Sequence, residues 1–403
     1  MPSEAAVPFL VAMMLLTGAC NTLLTKYQDN QCVRDCDIKH PLLFEQPVLQ
    51  TAQMFVGESA CWLVIAVTTI YRRLSSSQSP EGRGYQAVRS TGAHQTEESD
   101  TTKPDVDGRS VLRGFRVVLL ALPAICDICA TTLMNAGLLL VAASIYQMTR
   151  GALVLFVGLF SIVFLKRGLH LFQWLSLVGV VLGVAVVGLS GVIWPDDTTQ
   201  RNLEVFDSTV EDGLSDAARA TIGVLLIAGA QIFTATQFVL EEWMLENSPI
   251  DPINVVGWEG VFGLSATLVG MIVMHFLVGR TEAGQNGPFD MTEGLRQMLQ
   301  PKILVSSLLI MISIGGFNFF GLSVTRRVSA TARSTIDTCR TLLIWVVSLG
   351  LGWERLKFLQ IVGFAILVYS TFVFNGILSP PLRSLQVDAE VQELLPEDPI
   401  EHH

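Results

Sequence analysis

Residues 144–193 read SIYQMTRGALVLFVGLFSIVFLKRGLHLFQWLSLVGVVLGVAVVGLSGVI. Two long apolar runs are joined by Lys166-Arg167-Gly168, and Arg150 stands near the start of the first. A comparable pattern recurs at 331–378, TARSTIDTCRTLLIWVVSLGLGWERLKFLQIVGFAILVYSTFVFNGIL. At a constant offset of 187, Gln173-Trp174-Leu175 falls on Gln360-Ile361-Val362, Leu169 on Leu356, and Arg150 on Asp337. A repeated helical pair with a charge at the same inner position in both copies points to a transporter.

Composition places the rest of the chain around that pair. Of 403 residues, 50% are hydrophobic and only 15% charged, against about 25% charged in a soluble domain. Most of the chain therefore belongs in lipid. The net charge of −10 comes largely from Asp196–Asp216 and Asp388–Glu401, which argues against nucleic-acid binding. The seven cysteines do not form a disulfide scaffold, since Cys20, Cys61, Cys126, Cys129 and Cys339 lie in apolar runs. Cys126 and Cys129 make a C-x-x-C without further metal ligands nearby, so no metal or cofactor is expected.

A membrane-spanning helix needs about 20 mostly apolar residues. Ten segments qualify: 7–25, 47–71, 115–140, 144–165, 170–193, 218–245, 253–278, 302–325, 329–351 and 357–378. The first lacks the basic leading region of a signal peptide and is kept as a span. Arg72-Arg73, Lys166-Arg167 and Arg326-Arg327 follow spans two, four and eight. The positive-inside rule puts those loops and both termini in the cytosol. The loop holding Cys32 and Cys36 then faces the lumen, where this spacing allows a disulfide.

Residues 74–110 are polar, rich in Ser, Thr and Gly, and nearly free of large apolar groups. They read as a disordered cytosolic linker, and 380–403 as a disordered cytosolic tail. Within the tail, Glu390, Leu394 and Leu395 fit the acidic dileucine pattern by which cytosolic adaptors sort cargo to endosomes and lysosomes.

Ten spans divide into two sets of five. Five is odd, so the second copy crosses the membrane in the opposite sense, which is an inverted repeat with its solute site near the midplane. The expected fold is an all-α membrane protein of ten transmembrane helices in two inverted five-helix repeats. These would be 1–193 (with the 74–110 linker inside it) and 218–379, separated by an acidic lumenal loop at 194–217. Pro47 and Pro252, opening spans two and seven, echo the repeat, as do Asn21 and Gln231 in spans one and six.

Several stretches carry a likeness to a known family. They are Thr17-Gly18 with Asn21-Thr22-Leu23, Met54-Phe55-Val56-Gly57-Glu58, Gln147-Met148-Thr149-Arg150-Gly151, and Glu241-Glu242. With them go Glu259-Gly260, Phe317-Asn318-Phe319, and Asp337 with Arg340-Thr341. On these the chain resembles the drug/metabolite transporter superfamily and, within it, solute carrier family 35, subfamily F. The resemblance covers nearly all the membrane part and omits the 74–110 linker and most of the tail. It implies a ten-helix alternating-access carrier with helices 3–4 and 8–9 as gates. It also implies an endolysosomal membrane, with mitochondrial or Golgi membranes as alternatives.

A charge at bilayer depth costs roughly 2.5–3.5 kcal/mol and persists only when paired or facing water. Arg150 and Asp337 are the sharpest pair, expected near the pseudo-twofold axis as a cavity-lining ion pair or a static lock. Asp337 and Arg340 are three apart on one helical face, so pairing within the helix is the alternative. Asp127, Glu58 and Glu259 are candidate proton carriers, because a carboxyl removed from water holds its proton more tightly. Asn21, Thr131, Gln147, Gln231 and Asn318 offer hydrogen bonds to a polar solute. Lys26, Glu241, Glu242 and Arg333 lie near span ends and read as residues reaching for the interface.

Four mid-membrane acids against two arginines favour a cationic or zwitterionic small-molecule substrate over a nucleotide sugar. Gly179-x-x-x-Gly183, followed by Gly188, is a close-packing signature. It fits a homodimer through helices 5 and 10, or packing against helix 4 of the same chain. No G-x-S-x-G, H-E-x-x-H or paired-aspartate signature points to an enzyme, and no P-loop to primary transport. A nucleotide-sugar-type exchanger and a non-transporting membrane scaffold stay open as alternatives.

Overall fold

Bilayer interior offers the backbone no hydrogen-bond partner, so an apolar run must satisfy its own N–H and C=O groups as a helix. The computed structural model obeys this throughout the residues it describes. Those are 6–29, 31–34, 42–44, 46–76, 114–138, 140–141, 143–166, 168, 170–193, 216–281, 287, 289–351 and 357–379. Most of the expected linker, the acidic loop up to residue 215, Cys36, and the tail with Glu390, Leu394 and Leu395 lie outside them.

The elements, in chain order, begin with α1 (Ala6–Asp29), the strands β1 (Cys32–Arg34) and β2 (Leu42–Leu43), α2 (Pro47–Ser59) and α3 (Cys61–Ser76). A 3-10 turn at Gly114–Leu120 leads into α4 (Ala121–Leu138). Next come α5 (Ala143–Thr149), a 3-10 turn at Arg150–Ala152, α6 (Leu153–Leu165) and α7 (Leu171–Ile193). After α8 (Asp216–Asn247), α9 (Pro252–Met274) runs into a π-helical turn at His275–Gly279. The order closes with α10 (Met291–Met298), α11 (Pro301–Arg327), α12 (Ala330–Gly350) and α13 (Phe358–Phe374).

Each of the ten expected spans coincides with helix, but eight are long and apolar enough to cross a bilayer. The last two fall short for different reasons. α12 carries Arg333, Asp337 and Arg340 within eight positions. α13 has 17 residues, a rise of about 25 Å against a hydrocarbon core of about 30 Å. The small β1–β2 hairpin, antiparallel with Cys32 opposite Leu43, is an exception to the all-helical expectation. Pro47 and Pro252 both stand in the first turn of their helices, where the missing N–H costs nothing. α6 stops at Lys166, whose φ of 55° is left-handed.

The chain gathers into two compact units, and each draws on both halves of the sequence. The first is formed by Met1–Leu23, Cys126–Leu240 and Arg327–His403, the second by Leu24–Ile125 and Glu241–Arg326.

In the first unit, α13 lies along α7. A Cβ at Gly183 would sit 2.9 Å from the Gly363 carbonyl oxygen, and one at Gly363 would sit 3.0 Å from that of Gly183. At Gly179 it would strike Ser370 Oγ. Only glycine lets the two backbones approach so closely. The small-residue stripe of α7 is thus occupied by helix 10 of the same chain, where the sequence offered a homodimer contact or packing against helix 4. Around it Val141, Ile145, Met148, Val187, Ile227, Trp345, Phe364 and Leu367 form a buried apolar core. On the outer side of α7, Leu175, Val178 and Leu182 are exposed, as suits a surface facing lipid.

In the second unit α2 packs on α9, and a Cβ at Gly263 would collide with the Phe55 ring. One at Gly57 would strike the backbone of Met311 on α11. Cys61, Leu120, Met244, Leu245, Val255, Val256 and Leu322 close one end of this unit as an apolar cluster. Trp62 meets Trp258 edge-on beside them, ring centroids 5.3 Å apart.

Candidate functional site

The expected site residues divide cleanly. Asn21, Asp127, Thr131, Gln147, Arg150, Gln231, Asp337 and Arg340 fall in the first unit, and Glu58, Glu259 and Asn318 in the second.

In the first unit the helix carrying Arg150 changes pitch at that residue: α5 ends at Thr149 and a 3-10 turn begins. Such mid-helix switches mark hinges or sites under local constraint. The guanidinium carbon lies 5.8 Å from the centroid of the Tyr146 ring one turn earlier, within cation–π range. The Asp337 and Asp127 carboxylates both act on the Arg150 charge. The contact ion pair, however, is Arg340 Nη2 to Asp337 Oδ1 at 2.7 Å within α12. Both side chains are less than a tenth exposed. The pairing within one helix, the alternative to an Arg150–Asp337 pair, is the one present. The approach is close but not in line, and Asp337 Oδ1 makes no hydrogen bond. Arg150 Nε is also buried without a hydrogen-bond partner, as is Gln147 Oε1.

The remaining members are more conventional. Thr131 donates its hydroxyl to the Asp127 carbonyl at 2.9 Å, which spends it inside α4. Gln231, 2% exposed, donates to the Ile227 carbonyl at 3.1 Å and lies 3.5 Å from Met134 Sδ. Asn21 is buried on α1.

In the second unit Asn318 Nδ2 donates to Glu58 Oε1 at 2.6 Å, a charge-assisted length. Glu58 is buried, and so is Glu259. A Cβ at Gly260 would come 2.7 Å from Glu58 Cβ, so this carboxylate sits where α2 and α9 are in backbone contact.

Sequence reasoning missed two features. Arg333, Glu241 and Glu242 do not reach for the interface: they are 1%, 0% and 2% exposed. Arg333 instead lays its guanidinium 3.9 Å over the Phe238 ring. The signal was available, because Arg333, Asp337 and Arg340 are spaced i, i+4, i+7 along one face of α12.

The second is a buried amide network at the hairpin end of the second unit. Gln28 Nε2 donates to Ser307 Oγ at 2.8 Å and Ser306 Oγ at 3.3 Å, and Gln28 Oε1 accepts from Gln53 at 3.0 Å and Gln50 at 3.3 Å. Close by, Gln300 Nε2 donates to the Val33 carbonyl of β1, and Cys32 is disulfide-bonded. Cys36, the partner its spacing proposes, lies outside the described residues. No sequence rule joins Gln28 to a pair of serines 278 and 279 positions away.

Among the described residues no three His, Cys, Asp or Glu side chains gather into a group that could hold a metal ion. The arrangement in the first unit can do one thing well. It can exchange buried protein–protein electrostatics for contacts to a polar solute.

A family model described as nucleotide-sugar transporter matches residues 108–250. The human protein named Solute carrier family 35 member F6 is 35% identical over 96% of this chain and 95% of its own. Its mouse counterpart of the same name is 34% identical over 94% of this chain and 90% of its own. An uncharacterized protein of Schizosaccharomyces pombe is 36% identical over 93% of this chain and 98% of its own. With eight helices able to cross a bilayer and kinship running almost end to end, the chain is a multi-pass membrane transporter belonging to solute carrier family 35.

Proposed function

We propose that the chain is a secondary active carrier of a small polar organic solute, working by alternating access in an endolysosomal membrane. The observation that carries this reading is the buried Asp337–Arg340 pair of the first unit, with the partly buried Arg150 and Asp127 acting electrostatically beside it. Charges kept at such depth in a membrane protein belong to solute pathways and proton relays. The sequence expectation of four acids against two arginines is now divided, with Glu58 and Glu259 in the second unit. Two carboxylates then face Arg150 and Arg340, a balance that favours a zwitterion over a simple cation.

The ten-helix inverted repeat is part of the proposal. Its support is the pairing of helices five positions apart: α7 with α13, α2 with α9, and α6 with α12 all pack together. In span numbers these are 5 with 10, 2 with 7, and 4 with 9. Asp127 and Glu58 are the proposed proton carriers of a coupled cycle. A homodimer through helices 5 and 10 would use the outer face of α7, since its glycines are already occupied. Cytosolic adaptors reading Glu390, Leu394 and Leu395 would deliver the carrier to the endolysosome.

Counterflow in proteoliposomes at two lumenal pH values tests the reading. Uptake of a labelled zwitterion, lost in Asp337→Asn with the fold intact, is the expected result. Unchanged uptake in that variant, or none in the wild type for any solute, overturns it. The second reading, exchange of nucleotide sugars, is favoured by the family model over residues 108–250. Its mark would be counterflow of a uridine-diphosphate sugar with no zwitterion transport.

A further inference from the structure

We infer that Gln147 and Arg150 form the recognition point for a dipolar solute, one bearing a carboxylate beside a hydrogen-bond donor such as an α-ammonium group. The inference rests on the carrier reading and names the chemistry of its substrate. Its basis is a pair of orphaned atoms of opposite kind. Arg150 Nε, a donor, and Gln147 Oε1, an acceptor, are both buried and both lack a partner.

Within a bilayer no solvent relieves such groups, and each one left unpaired costs free energy. Three residues apart, they share a helix face and stand about 4.5 Å apart along the axis, a separation one small molecule spans. Thr149 Oγ1 is orphaned too, but two positions on from Gln147 it points to the opposite side of the helix. It is left out.

The charge pattern says which pole goes where. Asp337, the acid nearest in role, is held by Arg340 at 2.7 Å. Among the described residues Arg150 makes no contact ion pair of its own. It has the Tyr146 side chain on one side, within cation–π range and hydrogen-bonded to it, and the longer-range pull of Asp337 and Asp127, while its Nε remains open. A guanidinium in that state accepts a carboxylate through its planar donor fork. The Gln147 carbonyl then takes the neighbouring N–H, with Asp127 supplying negative potential. A diphosphate fits less well, since it brings two or more charges to one guanidinium and no donor for Gln147.

The test uses the full-length protein in nanodiscs and thermal-shift titration with defined probes. They are a panel of free amino acids, the same compounds as carboxamides, the corresponding desamino acids, the matching amines, and a uridine-diphosphate sugar. At least one amino acid is expected to bind, with affinity falling 10-fold or more when its carboxylate is amidated. Arg150→Gln should abolish binding, and Arg150→Lys, which keeps the charge and loses the fork, should weaken it about 10-fold. Gln147→Leu should weaken the amino acid about 10-fold and leave the desamino acid unchanged.

Carboxamides binding as well as acids, or full binding in a folded Arg150→Gln variant, overturns the inference. So does binding of the nucleotide sugar alone. Carriage is read separately, by mass spectrometry of proteoliposomes loaded with a total small-metabolite extract. Depletion of solutes without carboxylates keeps the carrier and sinks this assignment, and no depletion of any solute sinks both.

Discussion

The two units treat buried polarity in opposite ways. In the second, Gln28 satisfies both ends of its amide against Ser306, Ser307, Gln50 and Gln53. The groups are amides and hydroxyls, with the Asp29 carboxylate accepting from Gln50 at the edge and Gln53 Oε1 the one network acceptor left over. In the first, Arg150 Nε and Gln147 Oε1 are left without hydrogen bonds, and the ion pair of Arg340 with Asp337 lies within a single helix. A network that satisfies itself holds helices together. Groups left wanting either hold a guest or weaken the fold. On the proposed reading the difference separates a fastening from a receptor, although both look like polar residues in apolar helices.

Four substitutions press on that contrast, from the largest effect to the smallest. Asp337→Ala removes the carboxylate 2.7 Å from the buried Arg340 guanidinium, and should destabilise the first unit by about 3–5 kcal/mol. Unfolding in mild detergent, followed by hydrogen exchange across α12, would register it. A loss confined to less than 1 kcal/mol would mean the pair is not buried as described.

Gly183→Leu forces a side chain into the Gly363 backbone. It should cost about 3 kcal/mol, at the upper end of overpacking effects, with faster exchange in α7 and α13. Gly188→Leu serves as the control. Its nearest neighbours, the Val224 methyls, are 3.5 Å away, so it should cost much less.

The sharpest comparison is one chemical change made in both units. Gln28→Leu should cost about 1–3 kcal/mol, since it strands the groups it had satisfied. Gln147→Leu should stay within about 1 kcal/mol of wild type, since it removes an acceptor that had no partner. Equal losses at the two sites would erase the distinction. Smallest of all, Lys166→Gly relieves a left-handed residue outside both clusters and should stabilise by about 1 kcal/mol.

Much of this could be read from residues alone. The apolar runs located helix at every expected span, and the offset drew attention to Arg150 and Asp337, although the contact pair is Asp337 with Arg340. The tendency of Asp337 to pair with Arg340 was visible in their spacing. What escaped has physical reasons. Two of the spans are marginal because the charges that make α12 interesting also lower its apolarity, and because α13 is short. Arg333 near a helix end looks like an interface residue until the Phe238 ring is seen to cover it. The break in helix at Arg150 leaves no mark in the sequence, since Arg-Gly-Ala is compatible with continuous helix. Gly179 and Gly183 announced a close contact without saying with which helix.

Because each unit takes strands of sequence from both halves, synthesis order acquires a meaning of its own. A ribosome that has emitted the chain as far as Asn247 has completed neither unit, and Asp127 and Arg150 are already in the membrane without Asp337 and Arg340. The early helices must wait, and α12, the least willing to enter lipid by itself, arrives to partners already in place. Quality-control machinery that recognises unsheltered charge in the bilayer would meet this protein during that interval. A chain truncated at Asn247 should accordingly be degraded much faster than the full-length form, as a pulse-chase measurement would reveal.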